Sequence, residues 1–558
     1  MNRRDAEEQR TNPRYGNATP TSGFAFCLLL FAFLLQLSCS TKPTDMRSLV
    51  PADTLVYLET NDLGAAIQPI IDSKPFNEVA KYKPDISAIK GVQLAVAVTG
   101  FETTEEKLTD EQSVGNIRPH FVAIADTHAW NWQAVGFAEK KLGSFVGNIY
   151  NSEPTVEQTD KNGGKYFTWT AKDGRKAYAL VIGSLIYFAN DESSIDKCLA
   201  VKRGETDSIA KAGKVTVSEP GTLASGYVGP DGIAQIANIV GLKLGSEASD
   251  ESEVQTAIVS ILPQLLRNSI TRISWTANKT DLGIEDKYSI EMPPELASTL
   301  HKAMAPVGQM IFEHTEILKA VPADVSSVTL YNLRDPLEAW QTLISTAQKQ
   351  SGPMEGQYIP EFASLLLEPY GIRDPQKFLL RLQDYIVTAK FGDDSEKVVA
   401  IAEEIRDGEI SKKSEEIHKT PLITLIEPNI KTNNEAGHEV YTSEDGDLKA
   451  MIEGPIIIGD SGGVSKCLTS LNAPDNFSTL LKDRWLAFDN DYPSVLSFGK
   501  DRESFGLIAR AISDVKSDGS QAESKFTTET KFNKDGIERR SFSDFGLIGS
   551  IIAQLNSD

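Results

Sequence analysis

The sequence predicts an α+β protein built as two tandem homologous units, each a mainly antiparallel sheet packed with helices. Three observations predict it. A ladder of matching landmarks recurs at a nearly constant separation along the 558 residues. Strand-like runs follow one another through tight turns, which favours antiparallel sheet over a doubly wound parallel one. An apolar leader precedes the first unit and reads as an export signal.

The ladder begins with "VPAD", at Val50 and again at Val321, 271 positions apart. "VAIA" starts at Val122 and Val399, the "DG" turns place Gly174 and Gly446, and the next turns place Gly183 and Gly454. "KCL" places Cys198 and Cys467, and Gly229 aligns with Gly499. These offsets run from 269 to 277, and only "GIE", at Gly283 and Gly536, falls to 253. A fixed period of this kind marks a repeated architecture. The organisation expected is a signal peptide over 1–38, a tether over 39–47, one unit over 48–318 and a second over 319–558. The two "VPAD" segments are expected to open equivalent strands. The shortfall between Gly229 and Gly283 predicts an extra stretch in the first unit, with "EASDESE" from Glu247 and the helix-like "VQTAIVSILPQLLR" as the candidate.

The elements follow in order. Asp62 is a helix cap ahead of Ile67, Ile70 and Ile71, which share a face. "GVQLAVAVTGF" alternates Val92, Leu94, Val96 and Val98 with smaller or polar residues and reads as a half-buried strand. Val135, Ala138, Leu142 and Phe145 recur at helical spacing. Trp130 and Trp132, with Phe137 and Phe145, read as core residues at a helix start, an apolar ligand groove being the alternative. "KYFTWTAKDGRKAYALVIGSLIYFAND" reads as a three-stranded meander and "RISWTANKTDLGIEDKYSIEM" as a hairpin. In the second unit Asp335 with Pro336, and Asp374 with Pro375, are caps followed by proline at the first helical position. Cys198 and Cys467 each lie three residues after an apolar residue and one before a leucine. That spacing places them on buried helix faces, with redox, metal or inter-unit disulfide roles as alternatives.

The leader holds 12 uncharged apolar residues from Phe24 to Leu35, too short to span a bilayer and suited to a signal-peptide core. "LQLSCS" after it resembles a bacterial lipoprotein signal, in which a small residue, here Ser38, precedes the lipidated cysteine, here Cys39. Gln36 stands where that pattern prefers leucine. Lipid attachment at Cys39 is the expectation, and cleavage at a small-x-small site with soluble release is the alternative. The resemblance implies an exported, lipid-anchored envelope protein; Ser40, rather than Asp, after the cysteine implies the outer membrane. Net charge is −22 and argues against nucleic acid and against peripheral attraction to anionic lipid. Two cysteines beyond Cys39 suit an exported protein that does not rely on disulfides.

Both units resemble a family of exported bacterial proteins of unknown function that open with an "LPADT"-like strand. The matching residues are Val50 to Thr54, "GIRDPQKFLLRLQDY" from Gly371, and "VIGSLIYFANDESSIDKCL". That resemblance implies no catalytic residue, cofactor or partner.

Candidate chemistry is sparse. "GDSGG" from Gly459 to Gly463 resembles the nucleophile loop of trypsin-like proteases, with Ser461 as nucleophile. Such a serine needs a histidine base, and the six histidines include none in a matching segment. "FANDESS" stands at the same place in the first unit, so a strand end and helix cap is the expected structure. "DND" from Asp489 begins like a calcium loop, yet Pro493 and Ser494 occupy positions that need a ligand and a glycine. The acidic "EASDESE" reads as a solvated segment rather than a metal cluster. No HExxH, GxxxxGK[ST] or GxGxxG occurs. The expectation is a non-enzymatic envelope lipoprotein without cofactor or metal, binding or scaffolding an extracytoplasmic partner. A carrier of an apolar ligand or lipid is the alternative, and a serine hydrolase using Ser461 the remote one.

Overall fold

Twenty strands among the described residues join in a single sheet in the computed structural model. The described residues are 43–558 apart from 81, 108–112, 151, 248–251, 308–314, 354, 393–396, 405–429, 479–491, 514–521 and 555–558. Cys39 and the leader therefore lie outside the described residues, as do "DND" and most of "EASDESE".

In the first half the strands are β1 (Val56–Thr60), β2 (Gln93–Lys107), β3 (Ser113–Asp126), β4 (Thr155–Lys161), β5 (Gly164–Thr170), β6 (Lys176–Ile182), β7 (Leu185–Ala189), β8 (Thr222–Val228), β9 (Arg272–Thr280) and β10 (Gly283–Glu291). In the second they are β11 (Ser327–Asn332), β12 (Leu382–Lys390), β13 (Val398–Glu404), β14 (Ile430–Glu435), β15 (His438–Ser443), β16 (Leu448–Met451), β17 (Ile456–Asp460), β18 (Val495–Asp501), β19 (Ser524–Asn533) and β20 (Gly536–Ser543). Every pairing is antiparallel. The first half runs β4-β5-β6-β7-β3-β2-β1-β8-β9-β10. The second runs β14-β15-β16-β17-β13-β12-β11-β18-β19-β20, the same order with each number raised by ten. β10 pairs with β20 and joins the halves.

Register agrees as well as order. Tyr57, Ala97, Val122 and Ala189 lie side by side across β1, β2, β3 and β7. Val328, Ala389, Val399 and Gly459 do so across β11, β12, β13 and β17. The "VPAD" segments occupy matching places but do not open strands: β1 and β11 start at Val56 and Ser327. Pro51 makes one isolated bridge, to Ser208, and Pro322 one to Asn476. Proline lacks the N–H that a ladder needs, so each segment turns before its strand begins. Gly229 and Gly499 prove one residue out of step, because Val228 faces Val56 while Gly499 faces Ser327. Gly499 leaves room for the Phe526 ring, since a Cβ there would lie 2.1 Å from Phe526 Cζ and the ring would have to move.

Helices cover the sheet. Asp62 caps α1 (Leu63–Asp72) by accepting from Ala65 N, and Ile67, Ile70 and Ile71 are buried. α2 (Asn131–Phe137) passes through a π turn (Ala138–Leu142) into α3 (Gly143–Ile149). α4 (Glu192–Lys202) follows β7, and the long pair α5 (Pro230–Glu247) and α6 (Ser252–Ser269) lies between β8 and β9. α6 contains "VQTAIVSILPQLLR". In the second half α7 (Ser461–Leu471) follows β17, α8 (Ser504–Ser513) follows β18, and α9 (Gly546–Gln554) closes the described chain. Asp335 and Asp374 cap their helices, accepting from Glu338 N and Lys377 N.

Each half has its own core on one face of the sheet. Tyr57, Val122, Leu180 and Tyr187 pack with Ile195 and Cys198 of α4; Val328, Val399 and Ile457 pack with Val464 and Cys467 of α7. On the opposite face one cluster belongs to both halves: Ile67, Ile70 and Ile71 of α1 with Phe505 and Ile508 of α8 and Ala553 of α9. Residues 45–558 accordingly form one compact unit.

Candidate docking surface

The segment 130–156 combines a well-seated helical run with large apolar residues exposed among polar ones. Ala134, Ala138 and Val146 are buried against Phe167 and Trp169 of β5, whose rings stack 5.5 Å apart. Gly143 allows close seating, because a Cβ there would meet Trp169 Nε1 at 3.2 Å. With the small residues turned inward, the large ones turn outward. Trp130 is 75% exposed, Trp132 72%, Phe145 40% and Phe137 39%.

This overturns the expectation of a core role for Trp130, Trp132, Phe137 and Phe145. The helical run needs small residues to approach the aromatic pair beneath it, and Ala134, Ala138 and Val146 take those inner places. Trp130 precedes the helix in extended conformation, its N–H donating to Gln133 Oε1 at 3.1 Å. Phe137 and Phe145 are eight residues apart, and the π turn between them absorbs the residue by which eight exceeds two α-helical turns. Ile149 and Val156 extend the exposed apolar set.

Beside this ridge the sheet is only half covered. Phe145 and Phe121 flank Phe188, with ring centroids 6.1 and 6.3 Å away. Val96 and Ala123 face each other across β2 and β3, as do Val98 and Phe121, and all four are half-buried. A shallow hollow of about 850 Å³ between α3 and the start of β4 has a mixed lining, with Glu139, Ser144, Asn148 and Glu153 beside Pro154 and Val156.

The other sequence-singled residues fall elsewhere. Ser461 is the first residue of α7; Asp460 caps that helix, accepting from Gly463 N at 2.6 Å, and Ser461 N donates to Asp447 O at 2.8 Å. No hydrogen bond joins Ser461 to a described histidine. In the first half Asp191 caps α4 in the same way, accepting from Ser194 N at 3.2 Å. Cys198 and Cys467 are the seventh residues of their 11-residue helices, fully buried and unbonded. Burial pushes both thiols up to about 12. An apolar cavity of about 260 Å³ lies among Val325, Val328, Phe477, Phe498 and Phe526, with Lys500 and Lys525 at its lining. It is smaller than the roughly 300–1,000 Å³ of pockets that enclose a drug-sized ligand.

Two polar clusters escaped sequence reading. Glu59 is buried on β1 and accepts from Tyr57 Oη at 2.7 Å, Ser218 Oγ at 3.0 Å and Ser225 Oγ at 3.2 Å. The positions matching Tyr57 and Glu59 in β11 are Val328 and Leu330, so the repeat offers no hint of it. At the junction of the halves Glu285 pairs with Arg540 at 2.7 Å and Lys287 with Glu538 at 3.4 Å. Asp286 is buried beside them and accepts from Trp275 Nε1 and from Leu547 N at the start of α9, each at 2.8 Å. Among the described residues no group of three or more His, Cys, Asp or Glu is placed to hold a metal. No described helix is long and apolar enough to cross a membrane.

No family model matches the chain, and no curated protein matches it. Among solved structures, a crystal form of TP0453 aligns with 43% of this chain and 97% of its own at 12% identity, with a TM-score of 0.22.

Proposed function

We propose that the chain is a non-enzymatic envelope lipoprotein, duplicated from one α+β unit, held to a membrane through Cys39 and acting by docking its folded body onto a surface. What supports docking is one observation: Trp130 and Trp132 are 75% and 72% exposed beside Phe137 and Phe145 on a helical run that is otherwise firmly seated. Large apolar side chains displayed together on a soluble face mark interaction sites, because water exposure of such a patch is otherwise only a cost. The matching strand orders support duplication. The anchor rests on the apolar run and on "LSCS".

Intact mass and N-terminal analysis of the mature protein test the anchor. Acylated Cys39 as residue one, detergent-phase partition, and loss of both in Cys39→Ala are the expected results. A mature chain that begins at Thr41 without acyl groups refutes it.

A further inference from the structure

We infer that the ridge formed by Trp130, Trp132, Phe137 and Phe145 lies on a zwitterionic lipid bilayer, so that the body is held to the membrane surface by its own aromatic residues as well as by the chain ahead of it. The inference rests on the reading that Cys39 anchors the protein. Six residues carry the chain from Cys39 to Asp45, where the compact body begins. Fully extended they reach about 20 Å. A tether of that length keeps the body at the bilayer throughout, so a contact weak in solution becomes an intramolecular one with a high effective concentration.

The chemistry of the ridge selects the interface over a protein pocket. Indole rings combine an apolar body with one N–H donor, and they settle where hydrocarbon meets headgroups. Trp130 and Trp132 are exposed at the start of a helix, and a soft surface takes up such side chains without a complementary cavity. Lys140 and Lys141 are exposed on the π turn of the same run, with stems long enough to lie along apolar surface while the ammonium stays in water. Glu139 lies beside them, and the chain as a whole carries −22, so attraction to anionic lipid is not the driving force. Burial of aromatic surface is. Binding should therefore be at least as strong to phosphatidylcholine as to anionic vesicles, which a chain of net charge −22 meets with repulsion, and binding to phosphatidylcholine should resist salt, because screening weakens only charged contributions.

The test uses the mature polypeptide from Ser40 onward without acyl chains, which contains every core described above, and phosphatidylcholine vesicles. It is expected to co-sediment with the vesicles in low and high salt, with tryptophan emission shifted to the blue and quenched by brominated lipid. Trp130→Ser with Trp132→Ser should weaken partition at least roughly tenfold and remove most of the shift, judged against the usual dependence of interfacial binding on buried apolar area. Tyr82→Ser, at a site 77% exposed on a different segment, should leave binding unchanged and serves as the control for a general surface effect. Absence of vesicle binding, or binding indifferent to the two tryptophans, overturns the inference, as does Trp130-dependent capture of an envelope protein by a chain that ignores lipid. The anchor is judged separately: vesicle binding by a protein that is never acylated leaves the ridge standing and removes Cys39, while acylation without vesicle binding does the reverse.

Discussion

At Asp286 burial and capping pull in opposite directions. Desolvation raises its carboxyl to about 6, while the donors from Trp275 and Leu547 favour the charged form. The folded value lies above the unfolded one of about 3.9, so this group's contribution to stability is fully present below pH 4 and is lost as pH rises through 6. A rise of that size corresponds to about 2–3 kcal/mol. Asp286→Asn removes the titration but keeps an acceptor for α9. Urea unfolding at pH 4.5 and pH 7.5 should show the variant gaining about 2 kcal/mol relative to wild type at the higher pH; an equal difference at both values would exclude this account. The cysteines give a second residue-scale test. With both thiols buried and raised to about 12, Cys198 and Cys467 should resist iodoacetamide at pH 8 in the folded protein and react fully in denaturant. Rapid labelling of the native protein would show that the cores open. The helical spacing beside Ile195 and Val464 was enough to place these thiols inside. Asp286 was hidden, because "GIEDKYS" does not say that its strand will meet β20 and the first turn of α9.

The start of α7 shows how an element assigns roles to neighbours. Asp460 accepts from Gly463 N, whereas Ser461 contributes its backbone N–H to Asp447 O. Asp460→Ala should therefore cost about 1 kcal/mol in thermal or urea unfolding. Ser461→Ala should stay within about 0.5 kcal/mol and alter no measured activity. A fluorophosphonate adduct at Ser461 would restore the hydrolase. The counterpart "FANDESS" made this cap legible in advance, since one structural task explains both segments and a nucleophile explains only one. In β18, Gly499→Ala brings a Cβ within 2.1 Å of Phe526 Cζ, and overpacking of that kind should cost about 1–3 kcal/mol. The run α2, π turn and α3 was legible as a helix but not as a surface. The spacing of Val135, Ala138, Leu142 and Phe145 put Ala138 inside correctly, but the π turn over Ala138–Leu142 breaks the α-helical period before Phe145, which is 40% exposed.

Over the whole molecule the halves are separate on one face and joined on the other. Ile67 and Ile70 of the first half and Phe505 and Ile508 of the second belong to one cluster, and β10 pairs with β20 from Ile284 to Glu291. Unfolding should accordingly be a single cooperative transition, and a fragment ending at 318 should aggregate, because it would expose the β10 edge and half of that cluster. Two independent calorimetric transitions, each reproduced by an isolated half, would disprove the coupling.

By itself the sequence determined the antiparallel α+β class, the meander over β5 to β7, the hairpin of β9 and β10, the caps at Asp62, Asp335 and Asp374, and the equivalent burial of the two thiols. Period-2 and period-3.6 patterns, turn glycines and capping side chains act over a few residues and are written locally. The tertiary structure alone decided that "VPAD" precedes its strand, that β10 meets β20, that Asp286 caps a helix 261 residues away, and that Trp130 and Trp132 face outward. Each of those outcomes depends on which distant surface arrives at a given side chain, and burial of apolar area has no direction along the chain from which that arrival could be read.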